Sequence, residues 1–245
     1  MAGSSPLSGT VAVVTGASGR LGPVWIGTLA EAGATVVGVD LEGGDGVVAA
    51  DVTDQATLDA ARRQIEAEHG TVGVLVNNAG IDQPPDPAAG GGETIERFRQ
   101  TVDVNLAGTF NTIQSFGPAM VQAGRGSIVN LGSLYATVAP EPRFYDHLPG
   151  FVKPAAYAAS KAGVLQLTRY FARLWGPHGV RVNALSPGGV RATQDPEFLE
   201  KYCARVPLGR MAEPDDLRGP LVFLASDASR YVTGHELRVD GGFTA

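Results

Sequence analysis

Apolar and polar positions fall into short blocks along the chain, and the blocks alternate between two periods. Thr10 to Thr15 (TVAVVT) is a β-branched run that ends at a glycine cluster; helical spacing then begins near Leu21 and stops at Gly33. Thr35 to Asp40 and Val47 to Ala50 are a second and a third apolar run, followed by an amphipathic stretch from Asp54 to His69. Asp54 suits the cap of that helix, because its carboxylate can accept from the first free N–H groups. Val72 to Val76 predicts a fourth strand, Ser127 to Leu131 a fifth, Val180 to Leu185 a sixth and Glu236 to Val239 the last. Between them the spacing predicts a long helix from about Thr94 to Ala123 and another over Pro154 to Trp175, with short helices at Pro196 to Ala204 and Glu213 to Ala225. The Pro- and Gly-rich stretch Asp82 to Gly92 reads as an exposed, mobile loop.

The strands are nearly all apolar, as expected where both faces of a sheet are covered. Strands alternating with helices predict an α/β chain, a doubly wound parallel sheet of about seven strands with helices on both faces. The 245 residues fit one such domain, and a hydrophobic content of 44% supplies its core. Charge narrows the partners. A net charge of −6 without a dense Lys/Arg run argues against nucleic acid. The one cysteine, Cys203, excludes an intrachain disulfide and reads as a packed residue more readily than a reactive thiol. No Cys pair or His-x-x-x-His spacing suggests a metal, and no apolar run is long enough to span a bilayer. Met1 to Thr10 lacks the pattern of a secretion signal, so the expected location is cytoplasmic.

The turn after the first strand reads Thr15-Gly16-Ala17-Ser18-Gly19-Arg20-Leu21-Gly22. Glycines between a strand and a helix let the backbone approach a pyrophosphate, which the helix N-terminus then attracts. Gly16, Ser18, Arg20 and Leu21 are therefore expected to hold a dinucleotide. Asp40 ends the second strand, where a carboxylate accepts from ribose hydroxyls and repels an added phosphate; with Leu41 beside it, this favours NAD over NADP. Arg20 points the other way, since a guanidinium there also suits a 2′-phosphate, and NADP stays open. Asp51, with Val52, is placed either at the adenine edge or as a plain helix cap. Asn78, Ala79 and Gly80 follow the fourth strand at its carboxyl end, where small residues allow a second ribose to come close.

Tyr157 and Lys161 lie four apart in a predicted helix and so share a face. A free phenol, with a pKa of ~10, is a poor base near neutrality. A cation about 5 Å away at an effective dielectric of ~20 contributes about 3 kcal/mol, or roughly two pKa units toward the phenolate. Such a phenol could exchange a proton with a reacting alcohol. Ser133, just past the fifth strand, is placed to hydrogen-bond the reacting oxygen, and Asn105, in the long helix, to position a water that links Lys161 to solvent.

Together these residues resemble the short-chain dehydrogenase/reductase family, in its single-domain branch. The resemblance covers nearly the whole chain and rests on Thr15-Gly16…Gly22, Asp51, Asn77-Asn78-Ala79-Gly80, Asn105, Ser133, Tyr157-x-x-x-Lys161, Asn183, Ser186-Pro187-Gly188 and Val239-Asp240-Gly241-Gly242. It implies a Rossmann fold, NAD or NADP, and an Asn-Ser-Tyr-Lys tetrad at Asn105, Ser133, Tyr157 and Lys161. It also implies that Pro187, Gly188, Val190 and Thr193 line the nicotinamide, and that the protein is a homotetramer or homodimer. Two features depart from the pattern. Arg20 stands where the family usually has a glycine. The stretch from Ser133 to Tyr157 is wider than usual, so residues 134–156 read as an insertion beside the substrate, as in members that act on sugars, polyols and sugar acids. Arg143 or His147 would then contact a polar or anionic substrate; otherwise the insertion only covers the pocket. The expected activity is interconversion of a secondary alcohol and a ketone on a small polar molecule. A 3-oxoacyl-thioester reductase and a non-catalytic dinucleotide sensor are the alternatives.

Overall fold

The structure is a computed structural model that describes residues 5–85 and 92–245. The interior of the expected Pro/Gly-rich loop, residues 86–91, lies outside the described residues. Seven strands form one wholly parallel sheet: β1 (Val11–Thr15), β2 (Thr35–Asp40), β3 (Val47–Ala49), β4 (Val72–Asn77), β5 (Gly126–Leu131), β6 (Val180–Pro187) and β7 (Glu236–Val239). Their order is β3-β2-β1-β4-β5-β6-β7, so the winding reverses between β1 and β4. Ligands bind in the crevice that such a reversal opens at the carboxyl ends of the strands.

Alternate residues of β1 feed two cores. Val11 and Val13 pack with Leu58 and Ile65 of α2 (Gln55–His69) and with Ile113, Phe116 and Met120 of a later helix. Ala12 and Val14 face the other way, toward Trp25 and Leu29 of α1 (Gly22–Glu31). That side also takes Leu221 and Leu224 of α7 (Arg218–Ala225), with Leu217 just before it. Each buried Leu or Val side chain contributes about 1.5–3 kcal/mol, so the two-sided burial of a period-two strand and period-3.6 helices specifies the register. Asp54 caps α2 as expected, accepting from the N–H of Ala56 and Thr57.

The long helix expected over Thr94 to Ala123 is divided. Thr94 caps α3 (Ile95–Val102), a five-residue π-helical turn spans Asp103–Ala107, and α4 (Gly108–Ala123) continues the rod. Such a turn adds a residue without ending the helix and often marks a functional position; here it carries Asn105. The helix α5 (Ala155–Trp175) supplies Phe171 and Trp175 to the core and α6 (Pro196–Arg205) follows β6. The predicted helix from Glu213 is a short 3₁₀ turn, Pro214–Leu217, before α7, because Asp216 turns back to the N–H of Glu213. No helix among the described residues is long and apolar enough to cross a membrane.

Segment 134–156 is not a bare loop. Two 3₁₀ turns, Leu134–Ala136 and Pro142–Phe144, punctuate it. Phe144 is buried against Phe198 and Tyr202 of α6 and against Phe243 near the C-terminus, with ring centroids 5.9–6.3 Å apart. This third cluster fixes the segment to α6 across the mouth of the crevice.

Candidate active site

The loops that leave β1, β4, β5 and β6 surround a cleft of about 590 Å³. One end is the glycine turn. Gly16 has φ +65°, and a Cβ there would lie 2.7 Å from Ala79 Cα; a Cβ on Gly22 would lie 2.2 Å from the Ala17 carbonyl oxygen. Both positions require glycine, and the result is a turn with room beside its backbone. No side chain caps α1, so its N-terminus faces the cleft end undischarged. Thr15 Oγ1 accepts from the N–H of Asn78 and Ala79 at 3.2 and 3.1 Å, closing the β1 and β4 loops on each other. These features fit a pyrophosphate.

The expected cofactor residues separate by role. Asp40 accepts from the N–H of Ser18 and of Leu41, both at 2.8 Å, so its carboxylate stands at the end of β2 against the glycine turn. The Asn78 side chain is spent on structure. It donates to the carbonyls of Thr15 and Gly16 and accepts from Trp25 Nε1 at 2.8 Å, leaving backbone rather than amide for a ligand. Asp51 accepts from both the N–H and the hydroxyl of Thr53 at 2.8 Å, and Val52 is buried in the core. Gly16, Arg20, Leu21, Asn78, Ala79, Gly80, Pro187, Gly188 and Val190 line the cleft, whereas Ser18, Asp40, Leu41, Asp51, Val52 and Thr193 do not. The Arg20 guanidinium donates to the carbonyls of Val190 and Arg191 at 2.7 and 2.5 Å, bridging the glycine turn to the loop after β6.

At the centre of the cleft Tyr157 and Lys161 project from the first turns of α5, and Ser133 from the loop after β5. Lys161 is buried, its Nζ donating to the Leu131 carbonyl at 2.7 Å and standing 5.8 Å from the centroid of the Tyr157 ring. The neighbouring Asn105 is fully buried. It accepts from the N–H of Ile81 at 2.7 Å and donates to the Ile81 carbonyl at 2.9 Å and to Ser160 Oγ at 3.1 Å. The π-helical turn thus makes Asn105 the clamp on the loop after β4.

Electrostatics differ from the sequence expectation. Burial pushes the Tyr157 phenol up to about 12, helped by the Asp82 carboxylate and opposed by a hydrogen bond with Ser133. Burial also pulls Lys161 down to about 8, with Asp82 opposing. One cause, the dry pocket, moves both groups toward their neutral forms. The ammonium was expected to lower the phenol; in this setting it has a desolvation penalty to offset first.

The substrate side of the cleft contains residues the sequence did not single out: Asp82, Tyr135, Tyr145, Phe151, Lys153, Phe198 and Tyr202. They occupy loops and helix faces with no motif; the aromatic residues of segment 134–156 point to Tyr135, Tyr145 and Phe151 alone. Arg143 and His147 are not brought to the cleft. Arg143 is 66% exposed and ion-paired with Glu141. His147 Nε2 lies 2.7 Å from Asp195 Oδ1. Asp146, His147 and Glu197 do cluster, but the Lys201 ammonium already sits among them, bonded to Asp146 and 2.8 Å from Glu197.

Comparison with known proteins agrees with this arrangement. A family model described as enoyl-(acyl carrier protein) reductase matches residues 23–244. The galactitol 2-dehydrogenase (L-tagatose-forming) of Cereibacter sphaeroides is 39% identical, covering 97% of this chain and 96% of its own. A gluconate 5-dehydrogenase from Burkholderia cenocepacia, solved with NADP and tartrate, is 32% identical with a TM-score of 0.87 over 98% of this chain and 97% of its own. A short-chain dehydrogenase from Leptospira borgpetersenii, solved with NAD+, is 34% identical with a TM-score of 0.88 over 99% and 95%. Coverage from end to end by such relatives and by the family model leaves one assignment: the chain belongs to the short-chain dehydrogenase/reductase family.

Proposed function

We propose that the protein is an NAD(P)-dependent dehydrogenase of small polyhydroxylated molecules, interconverting a secondary alcohol and a ketone with Tyr157 as the proton-transfer group. The observation that carries this reading is a single cleft with the glycine turn at one end and Ser133, Tyr157 and Lys161 grouped at its centre. The backbone around Gly16, Ser18, Arg20 and Leu21 would hold the pyrophosphate, Asp40 and Leu41 the adenosine ribose, and Asp51 and Val52 the adenine. Ala79 and Gly80 would take the second ribose through their backbone, and Pro187, Gly188, Val190 and Thr193 the nicotinamide. Asp40 favours NAD, because a second negative group at the ribose would meet its carboxylate. When bound, the nicotinamide accepts or supplies the hydride.

The protein's own groups handle the proton and the oxygen. In oxidation the substrate hydroxyl gives its proton to the Tyr157 oxygen; in reduction the phenol returns it to the carbonyl oxygen. Ser133, beside Tyr157 in the cleft, orients the same oxygen and shares its developing charge. Lys161, at about 8, is mostly ammonium at neutral pH. With its Nζ 5.8 Å from the centre of the Tyr157 ring, this ammonium favours the phenolate and works against the effect of burial. One donor of Lys161 holds the Leu131 carbonyl, and the remaining two are available to the nicotinamide ribose. Asn105 keeps the loop after β4, and thus Gly80 and Ile81, in register with this group.

Segment 134–156 closes the substrate side, and its aromatic lining favours a small molecule over a long acyl chain on a carrier protein. The galactitol and gluconate activities of the relatives point to a sugar-like substrate. A homotetramer or homodimer is expected, since Phe110, Tyr170 and Leu174 leave apolar surface on α4 and α5. The test is cofactor reduction with NAD and with NADP across polyols, sugars, sugar acids and monohydric alcohols. Turnover of at least one polyhydroxylated substrate is expected, with Tyr157→Phe losing at least about 10²-fold in kcat while still binding NADH. No turnover on any alcohol, with NADH binding intact, would instead favour a dinucleotide sensor.

A further inference from the structure

The substrate wall of the cleft carries a charge pair built from two distant segments. Asp82 directly follows Ile81, whose N–H and carbonyl are both held by Asn105. Lys153 comes from the far end of segment 134–156, one residue before Pro154 and α5. The first N–H groups of α5, on Ala155 and Ala156, donate to the Glu93 carboxylate at 3.1 Å each. These two anchors bring the Lys153 ammonium onto Asp82 Oδ2. Side-chain exposures of 17% for Lys153 and 37% for Asp82 leave the pair open to the cleft, which both line. Lys153 Nζ lies 5.7 Å from the centroid of the Tyr157 ring, so the pair stands beside the reacting group.

Flanking the pair is an aromatic wall. Tyr145 stacks on Phe151 with centroids 4.7 Å apart and on Phe198 at 5.2 Å, and the Tyr135 hydroxyl lies 3.3 Å from that of Tyr145. An apolar wall with a few convergent polar groups is the usual make-up of a small-molecule pocket. The Asp82–Lys153 contact uses one carboxylate oxygen and one of three ammonium donors, which leaves an acceptor and donors side by side. A hydroxyl, being both donor and acceptor, satisfies that combination. A substrate carboxylate does not: it meets Asp82, and the charge of Lys153 is already matched.

We propose that Asp82 and Lys153 together bind a second hydroxyl next to the reacting carbon, and that this pair makes the enzyme prefer neutral polyols to sugar acids and to monohydric alcohols. This rests on the dehydrogenase reading above and narrows its substrate class. A site built to hydrogen-bond a hydroxyl discriminates strongly against an analogue that lacks it, because its own polar groups are left without partners.

The experiment compares wild type, Asp82→Asn and Lys153→Met. Each is assayed for kcat/KM on the best neutral polyol of galactitol, threitol and ribitol, on gluconate and on cyclohexanol, with NADH binding followed by fluorescence. Wild type is expected to favour the polyol over both others. In each variant the polyol-to-cyclohexanol ratio is expected to fall at least about tenfold. In Asp82→Asn the polyol-to-gluconate ratio falls as well, because the repelling charge is gone. A merely structural pair would lower all substrates alike and leave the ratios in place, and that result overturns the proposal. So does a wild type that prefers gluconate. A wild type inactive on every alcohol is a different outcome, and removes the dehydrogenase reading itself. Should Asp82→Asn fail to fold, the Lys153→Met ratios decide alone.

Discussion

At the nucleotide end of the cleft, Gly16, Asp40 and Ala79 stand at the ends of adjacent strands, and backbone hydrogen bonds hold them there. At the substrate end, Asp82, Tyr145, Lys153 and Phe198 arrive from three segments and are held by side-chain contacts. The first end follows from sheet geometry: any chain with this strand order and glycines at these turns presents the same cradle. The second depends on which side chains the insertion and α6 happen to bring together. Cofactor class is therefore a property of the fold, while substrate choice is a property of this chain. Tyr157 and Lys161 line the same cleft and, in the proposed reading, serve both ends.

Three substitutions test that contrast. The largest effect is expected at the shared centre. Burial raises the Tyr157 phenol to about 12, so phenolate is scarce at neutral pH and alcohol oxidation should quicken as pH rises. Lys161, lowered to about 8, keeps its charge below that pH and loses it above, so the gain in wild type should slacken beyond about 8. Lys161→Met should slow oxidation at pH 7 by about tenfold or more and move the acidic limb of the rate profile upward. An unshifted limb would remove the coupling across one helical turn. A smaller change is expected at the nucleotide end. Asp40→Asn should reduce the ratio of kcat/KM for NAD over NADP by about tenfold, a difference of ~1.4 kcal/mol, with little change in polyol selectivity. If polyol selectivity moved too, the two ends would not be separable. The smallest effect is expected from Arg143→Ala, since an exposed ion pair is worth about 0–1 kcal/mol. The KM for the polyol should stay within about twofold; a tenfold rise would bring the charged tip of the insertion into the substrate's path.

Much of the frame was legible in the sequence. The strand runs and most helix boundaries match to within a residue or two, because period-two and period-3.6 patterns act through near neighbours. The grouping of Ser133, Tyr157 and Lys161 was also legible, as two of the three lie one helical turn apart and the third follows a strand end. The division of the long helix at Asp103–Ala107 was not. A π-helical turn needs no special residue, and its reason is a distant partner, the backbone of Ile81. Arg143 and His147 lie in the insertion, yet neither lines the cleft: Arg143 is ion-paired with Glu141, and His147 reaches the cleft only through its contact with Asp195.

The sequence by itself determined the parallel α/β order, the glycine turn after β1 and the shared face of Tyr157 and Lys161, since each depends on residues a few positions apart. Only the tertiary structure decided the direction in which the phenol titrates, the use of Asn105 as a clamp and the meeting of Asp82 with Lys153. Those depend on how far water is excluded and on where segments dozens of residues apart come to rest, and a linear pattern encodes neither.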